Sequence, residues 1–301
     1  EIAQPFAFLV RYYECCHGWG ANIVNAGASW LILLGAGSTC FASVRVGRGQ
    51  TNAAGSVSSL MALPKENASY CDVAYWDDRY LTETTYDWLL PYHTYAHLIS
   101  RHVKKTDRIL MLGCGNSPLS ELLFKDGFKN IENIDYSGVV INNMASHCGD
   151  CAQMKWHIMD ATNLQFPSSS FDVVIEKATL DAMMVKEKDP WTISEPTRVL
   201  VTKVLKEVSR VLCSGGRFIS ITFAQPHFRS PLYADAQYGW SLETFEFGSS
   251  FHYFYYVMTK GQRLASDSVS HYCLPTFRRN SSASQSSEPE NEDFLLKILA
   301  S

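Results

Sequence analysis

The 301-residue sequence has no excess of positive charge: 26 Lys and Arg against 30 Asp and Glu leave it at −4. Nucleic-acid-binding domains usually carry clustered basic residues, so this composition argues against a nucleic-acid partner. None of the nine His opens an H-E-x-x-H run, which excludes that zinc-peptidase motif. The Cys count is nine, odd and irregularly spaced. That argues against a disulfide framework and for a reducing, cytoplasmic setting. Cys148 and Cys151 form a lone C-x-x-C. Without a second pair or a His at zinc spacing they read as ordinary thiols, and no metal is expected.

Charge itself is missing from Cys15 to Val44. About 20 apolar residues can span a bilayer, but Asn22, Asn25, Ser29, Ser38 and Thr39 dilute this run. Residues 1–60 read as an extension outside the working domain, poorly ordered, with a membrane anchor as the alternative. Met61 opens a polar lead and reads as the native start of a domain over 61–265. Residues 266–301 read as a disordered tail, since Arg278 to Asp293 is rich in Ser, Glu, Asn and Pro. Phe294 to Leu299 reads as a short terminal helix.

What is present between these ends is an alternation of strand and helix. Arg108 to Leu112 is a short apolar run that stops at Gly113-Cys114-Gly115. It reads as a buried strand and a tight turn, with a helix from Pro118 to Lys125. Glycine at such a turn leaves room for a ligand to approach the backbone. Further strands are expected over Asn130–Asp135, Met154–Asp160, Phe171–Lys177, Arg217–Phe223, Tyr238–Phe247 and Phe251–Met258. Helices are expected over His93–Val103, from Ser137 to His147, and over Val199–Leu212. This order predicts an α/β fold with a mainly parallel sheet and helices on both faces.

In such sheets ligands bind beyond the carboxyl ends of the strands. Asp135, Asp160 and Glu176 stand at or near three of those ends. Asp135 follows the glycine turn by about 20 residues, the usual distance for a carboxylate that binds a ribose hydroxyl. A dinucleotide site asks for G-x-G-x-x-G, but Pro118 stands where the third glycine belongs. A phosphate-free adenosine ligand tolerates that loss, and S-adenosylmethionine is such a ligand. Its ribose diol suits Asp135 and its adenine amine suits Asp160. The aromatic segments Tyr75 to Tyr80 and Tyr86 to Trp88 have no clean period. They read equally as a helix packed by its rings or as a lid over a ligand.

These segments resemble class I, seven-stranded S-adenosylmethionine-dependent methyltransferases of the methyltransferase-11 type, with a Rossmann-like sheet. The resemblance is closest to the elongation factor 1-alpha lysine methyltransferase 4 group. It rests on Tyr75-Trp-Asp-Asp-Arg-Tyr80, Tyr86-Asp-Trp88, Leu112-Gly-Cys-Gly-Asn-Ser117 and Phe171-Asp-Val-Val-Ile-Glu-Lys177. It continues through Asp189-Pro-Trp191, Gly215 to Ser220, Pro226-His-Phe-Arg229 and Tyr238 to Leu242. It implies a protein-lysine N-methyltransferase whose protein substrate is elongation factor 1-alpha. A small-molecule methyltransferase and a non-catalytic binding scaffold are the alternatives. The family's cofactor contacts fall on Trp76, Tyr80, Trp88, Gly113, Asp135, Tyr136, Asp160, Ala161 and Lys177, which favours the lid. Glu176, Asp181, His227 and Tyr233 are candidates for the substrate side, each with a local structural alternative. No Asn/Asp-Pro-Pro-Tyr/Phe run follows the fourth strand, where Glu176-Lys-Ala-Thr179 stands instead. That argues against nucleobase and glutamine substrates.

Overall fold

The run Ile109–Leu112 is buried at all four positions, as a central strand covered on both faces must be. The computed structural model describes residues 66–264 apart from 148–150, 152, 188–192 and 250, together with Pro64 and two short strands, 21–25 and 30–34. Those two strands, Ala21–Asn25 (β1) and Trp30–Leu34 (β2), pair antiparallel with Ala21 opposite Leu34. The rest of the expected extension and the whole tail from 266 lie outside the described residues.

The main body begins with a 3-10 turn, Asn67–Cys71, and α1, Val73–Tyr80. Asp72 caps α1 by accepting from the Ala74 N–H at 3.0 Å. A second 3-10 turn, Tyr92–Thr94, precedes α2, Ala96–His102. Then follow β3 (Ile109–Leu112), α3 (Leu119–Lys125), β4 (Ile131–Asp135), α4 (Gly138–His147), β5 (Lys155–Ile158) and β6 (Phe171–Lys177). After β6 come α5 (Thr179–Met183), α6 (Glu195–Val211), β7 (Leu212–Thr222) and α7 (Pro226–Tyr233). A third 3-10 turn, Ala236–Tyr238, leads to β8 (Glu243–Phe247) and β9 (Tyr253–Thr259).

β3 to β9 form one seven-stranded sheet in the order β5-β4-β3-β6-β7-β9-β8. β3 to β7 run parallel, while β9 is antiparallel to both β7 and β8. The order reverses at β3: β4 lies on one side and β6 on the other. That is the switch point where crossovers leave in opposite directions and open a crevice at the strand ends.

Strand alternation sorts the core into two layers. Ile109, Met111, Val173, Ile175, Ile219 and Ile221 face the layer that holds α2, α3 and α4. Leu110, Leu112, Val174 and Phe218 face α6 and α7. On α6, Thr197, Val201, Val204, Leu205, Val208 and Val211 are buried, the spacing of one helical face.

Three expected boundaries differ by about four residues or more. α6 starts four residues before Val199, because Pro196 occupies its first turn, where a missing N–H costs nothing. The strand expected from Tyr238 begins only at Glu243, since Gly239 takes a left-handed conformation (φ +66°) that ends the 3-10 turn. The strand expected from Arg217 begins at Leu212, directly after α6, and runs through Gly215 and Gly216. Both α5 and α7 carry no helical period long enough to read from sequence.

Candidate functional site

At the switch point the chain leaves β3 through Gly113-Cys114-Gly115. Gly113 has φ +65°, and a Cβ there would stand 2.5 Å from the Thr179 side chain. Thr179 Oγ1 donates to the Leu112 and Gly113 carbonyls at 2.9 and 3.1 Å. The glycine is thus demanded by a neighbouring side chain from the start of α5, where close approach of a ligand was expected to demand it. Gly115 is similarly tight: its Cβ would lie 3.0 Å from the Tyr80 hydroxyl.

Beside the turn stands Asp135, the last residue of β4 and only 6% exposed. Its Oδ2 accepts from the Gly115 N–H at 2.9 Å, and its Oδ1 from the Ser137 N–H at 3.0 Å. Burial pushes its carboxyl up to about 6, and those backbone donors offset only part of the effect. Asp160, just beyond β5, is exposed. Its Oδ1 accepts from the Thr162 N–H at 2.8 Å.

The aromatic segment is both a helix and a cover. Trp76 and Tyr80 lie one turn apart on α1 and stack at 5.6 Å; Trp88 meets Trp76 edge-on at 6.1 Å. Arg79, buried between them, organises the group. It forms a two-pronged ion pair with Glu83, both contacts at 2.8 Å, and a 3.1 Å bond to the Tyr75 hydroxyl. Its guanidinium lies 5.1 Å from the ring centres of both Tyr86 and Trp88, a favourable cation–π distance. Asn116 ties this cover to the glycine turn by donating to Glu83 at 3.1 Å. Lys177, at the end of β6, pairs with Asp87 and donates to the Trp88 carbonyl at 2.9 Å. Burial lowers its pKa and Asp87 works against that shift.

These elements enclose a cavity of about 350 Å³. All nine residues expected to contact a cofactor line it: Trp76, Tyr80, Trp88, Gly113, Asp135, Tyr136, Asp160, Ala161 and Lys177. Two of its wall residues, Leu89 (φ 67°) and Ala178 (φ 62°), hold left-handed backbone without being glycine. Such strain collects at functional sites.

The four substrate-side candidates separate. Asp181 lines the cavity. Glu176 and Tyr233 are buried behind it, on the α7 side of the sheet, and do not line it. Glu176 and Lys177 are consecutive strand residues, so they face opposite sides. Glu176 accepts from Ser220 Oγ and from the Thr179 and Leu180 N–H groups at 3.0 and 3.2 Å, which caps α5. Burial first, and the nearby Asp181 next, hold its carboxyl above the usual range. Tyr233 shares Ser220 Oγ at 2.8 Å. His227 is exposed on α7 against Phe228, at 3.6 Å between ring centres. Thr179, Asn116, Arg79 and Glu83 were not singled out from the sequence. Arg79, Asn116 and Thr179 fall inside the quoted runs 75–80, 112–117 and 176–179, while Glu83 falls in none of them.

The chemistry of the lining suits a phosphate-free adenosine. It offers buried acceptors beside a glycine turn, stacked rings, and a lysine already neutralised by its own aspartate. This sheet order and this cavity define a class I S-adenosylmethionine-dependent methyltransferase. The methyltransferase domain family matches residues 110–220. The chain is 42% identical over 241 residues to EEF1A lysine methyltransferase 4 of Bos taurus, covering 78% of this chain and 94% of that protein. The Mus musculus protein of the same name is 43% identical over 244 residues, with the same coverage. The eEF1A lysine and N-terminal methyltransferase of Homo sapiens is 37% identical over 169 residues, 55% of this chain and 23% of that protein. The chain belongs to the EEF1A lysine methyltransferase 4 family, and its cofactor is S-adenosylmethionine. Among the described residues, no helix is long and apolar enough to cross a membrane, and no cluster of His, Cys, Asp and Glu is placed to hold a metal ion. Of the Cys148–Cys151 pair, Cys148 lies outside the described residues and Cys151 is buried.

Proposed function

We propose that this protein transfers the methyl group of S-adenosylmethionine to a lysine amine of translation elongation factor 1-alpha. The observation that carries the reading is its identity to EEF1A lysine methyltransferase 4 across nearly the whole of that protein. The working domain spans residues 61–265, and the activity belongs to the cytoplasm, where translation runs.

The cofactor supplies a methyl carbon already made electrophilic by a sulfonium. The chain's part is alignment, which converts an encounter into an intramolecular geometry. In this reading Asp135 accepts from the ribose diol, using lone pairs left over from its backbone contacts. Asp160 Oδ2 receives the adenine amine beside Tyr136 and Ala161. Gly113 seats the amino-acid end, Trp76, Tyr80 and Trp88 close over it, and Lys177 holds Trp88 in place.

A lysine amine, with an unperturbed pKa near 10.4, must lose a proton to solvent before it can attack. Tyr70, Met183 and Phe223 wall the β6–β7 end of the cavity. Apolar surroundings disfavour the charged amine and ease that loss. Bound S-adenosylmethionine would supply the methyl group to that nitrogen, with its sulfur taking the electron pair, and the wall residues would hold the amine in line with it. Glu176 and Tyr233 serve this wall from behind by holding the start of α5 and strand β7 together.

Incubating the full chain with tritiated S-adenosylmethionine and cell lysate tests the reading. Label on a band of elongation factor size, mapped to lysine, is the expected result. Label confined to small molecules, or cofactor binding without transfer, rejects it.

A further inference from the structure

Two lysines line the cavity, and only one has its charge answered. Lys177 is buried and paired with Asp87. Lys203, on α6, is exposed, and no described residue takes a hydrogen bond or ion pair from it.

The packing of α6 fixes where Lys203 stands. Lys203, Glu207 and Arg210 lie on one face of the helix, four and then three residues apart. The latter two hold the β5–β6 loop. Glu207 Oε2 accepts from the Leu164 N–H at 2.8 Å, and Arg210 donates to the Leu164 and Phe166 carbonyls at 2.8 and 2.7 Å. α6 leads from the carboxyl end of β6 back to the start of β7. Lys203, one turn before Glu207, is therefore nearer the crevice. It shares this end of the cavity lining with Leu200, Met159, Asp160, Ala161 and Thr162.

In the methyl-transfer reading this is the end where Asp160 receives the adenine amine. A carboxylate only accepts, so Asp160 serves the amine and leaves the ring acceptors that flank it, N1 and N7, without a donor. Of the side chains lining this end, only Thr162 and Lys203 carry one. Thr162 offers one hydroxyl hydrogen on a short side chain. Lys203 offers three N–H donors on a four-carbon stem, with a charge that strengthens the bond.

We propose that Lys203 is a purine-binding residue whose ammonium donates to a ring nitrogen beside the adenine amine. Asp160 and Lys203 then read a donor and an acceptor on adjacent positions of one base. The proposal rests on the methyl-transfer reading and adds a cofactor contact to it.

The test titrates three ligands into the full chain by calorimetry. They are S-adenosylhomocysteine and its two analogues with carbon in place of ring N7 or of ring N1. Failure of S-adenosylhomocysteine itself to bind overturns the methyltransferase reading, and this proposal with it. The wild-type protein is expected to bind one of the two analogues at least about fivefold more weakly than the parent ligand. Lys203→Met keeps an unbranched stem without a donor. It is expected to weaken the parent ligand by a similar factor and to abolish that analogue's disadvantage. Lys203→Ala carries the same expectation and replaces the Met variant if that one does not fold. If the parent ligand binds but both analogue ratios are the same in wild type and variant, this proposal alone is overturned. Lys203 would then act on Asp160 or on the loop, and not on the base.

Discussion

Asp135 gives the sharpest quantitative prediction. Burial raises its carboxyl from 3.8 to about 6. A shift of roughly 2 units corresponds to about 3 kcal/mol against the ionised form in the free protein. The proposed ribose contact needs that ionised form, since a carboxylate accepts at every lone pair and a carboxylic acid donates at one. Affinity for S-adenosylmethionine is therefore expected to scale with the ionised fraction. Between pH 7 and pH 5 that fraction falls from about nine-tenths to about one-tenth for a pKa near 6, so Kd rises about tenfold. Isothermal titration at constant ionic strength reads this directly, with Asp135→Asn as the control. The variant should bind weakly and with little slope. A wild-type Kd that stays flat from pH 7 to 5, or a slope that survives in the Asn variant, refutes the reasoning.

The stability linkage has the opposite sign to that of a salt-bridged aspartate. A raised carboxyl pKa means that the folded state binds the proton more tightly than the unfolded state, so this group's contribution improves as pH falls through 6 towards 3.8. Relative to Asp135→Asn, the ligand-free wild-type protein should gain about 1 kcal/mol between pH 7 and pH 5.

Two further perturbations test the architecture around the cavity. Arg79→Met leaves half-buried Glu83 without its two-pronged partner and removes the cation held against Tyr86 and Trp88. It should cost about 3 kcal/mol of stability in a urea titration and weaken S-adenosylmethionine binding at least tenfold; loss of stability with unchanged affinity would show that the lid does not depend on Arg79. Gly113→Ala places a Cβ 2.5 Å from Thr179 at a left-handed position. It should cost about 1–3 kcal/mol, and Thr179→Ala in the same chain should recover part of that loss; no recovery would mean that backbone strain, not the collision, sets the cost.

Much of the site is written locally in the chain. A strand that ends in glycines, and carboxylates at the next strand ends, can be read because period-2 burial and turn chemistry act over a few residues. That local logic recovered β3, β4 and β6 almost to the residue. It also placed Asp135 and Asp160 at the rim of one crevice, because parallel strands present their carboxyl ends on the same edge. The missing third glycine pointed to a ligand without phosphate for the same local reason.

The remainder depends on partners distant in sequence. Thr179 demands Gly113 across 66 residues, Lys177 finds Asp87 across 90, and Arg229 finds Asp181 across 48. No window of sequence contains both members of such a pair. α5 is five residues long and begins after a left-handed Ala178, and α7 contains Pro231, so neither offers a readable helical period. The fate of the four substrate-side candidates was decided by facing. Alternation along β6 sends Lys177 to the lid and Glu176 to a buried network, and only Asp181 reaches the cavity. The sequence by itself determined a phosphate-free adenosine crevice at the ends of β3 and β4. Tertiary structure alone decided which of the acidic groups around β6 lines the cavity, because facing is set by how strands and helices pack and not by the residues that precede and follow.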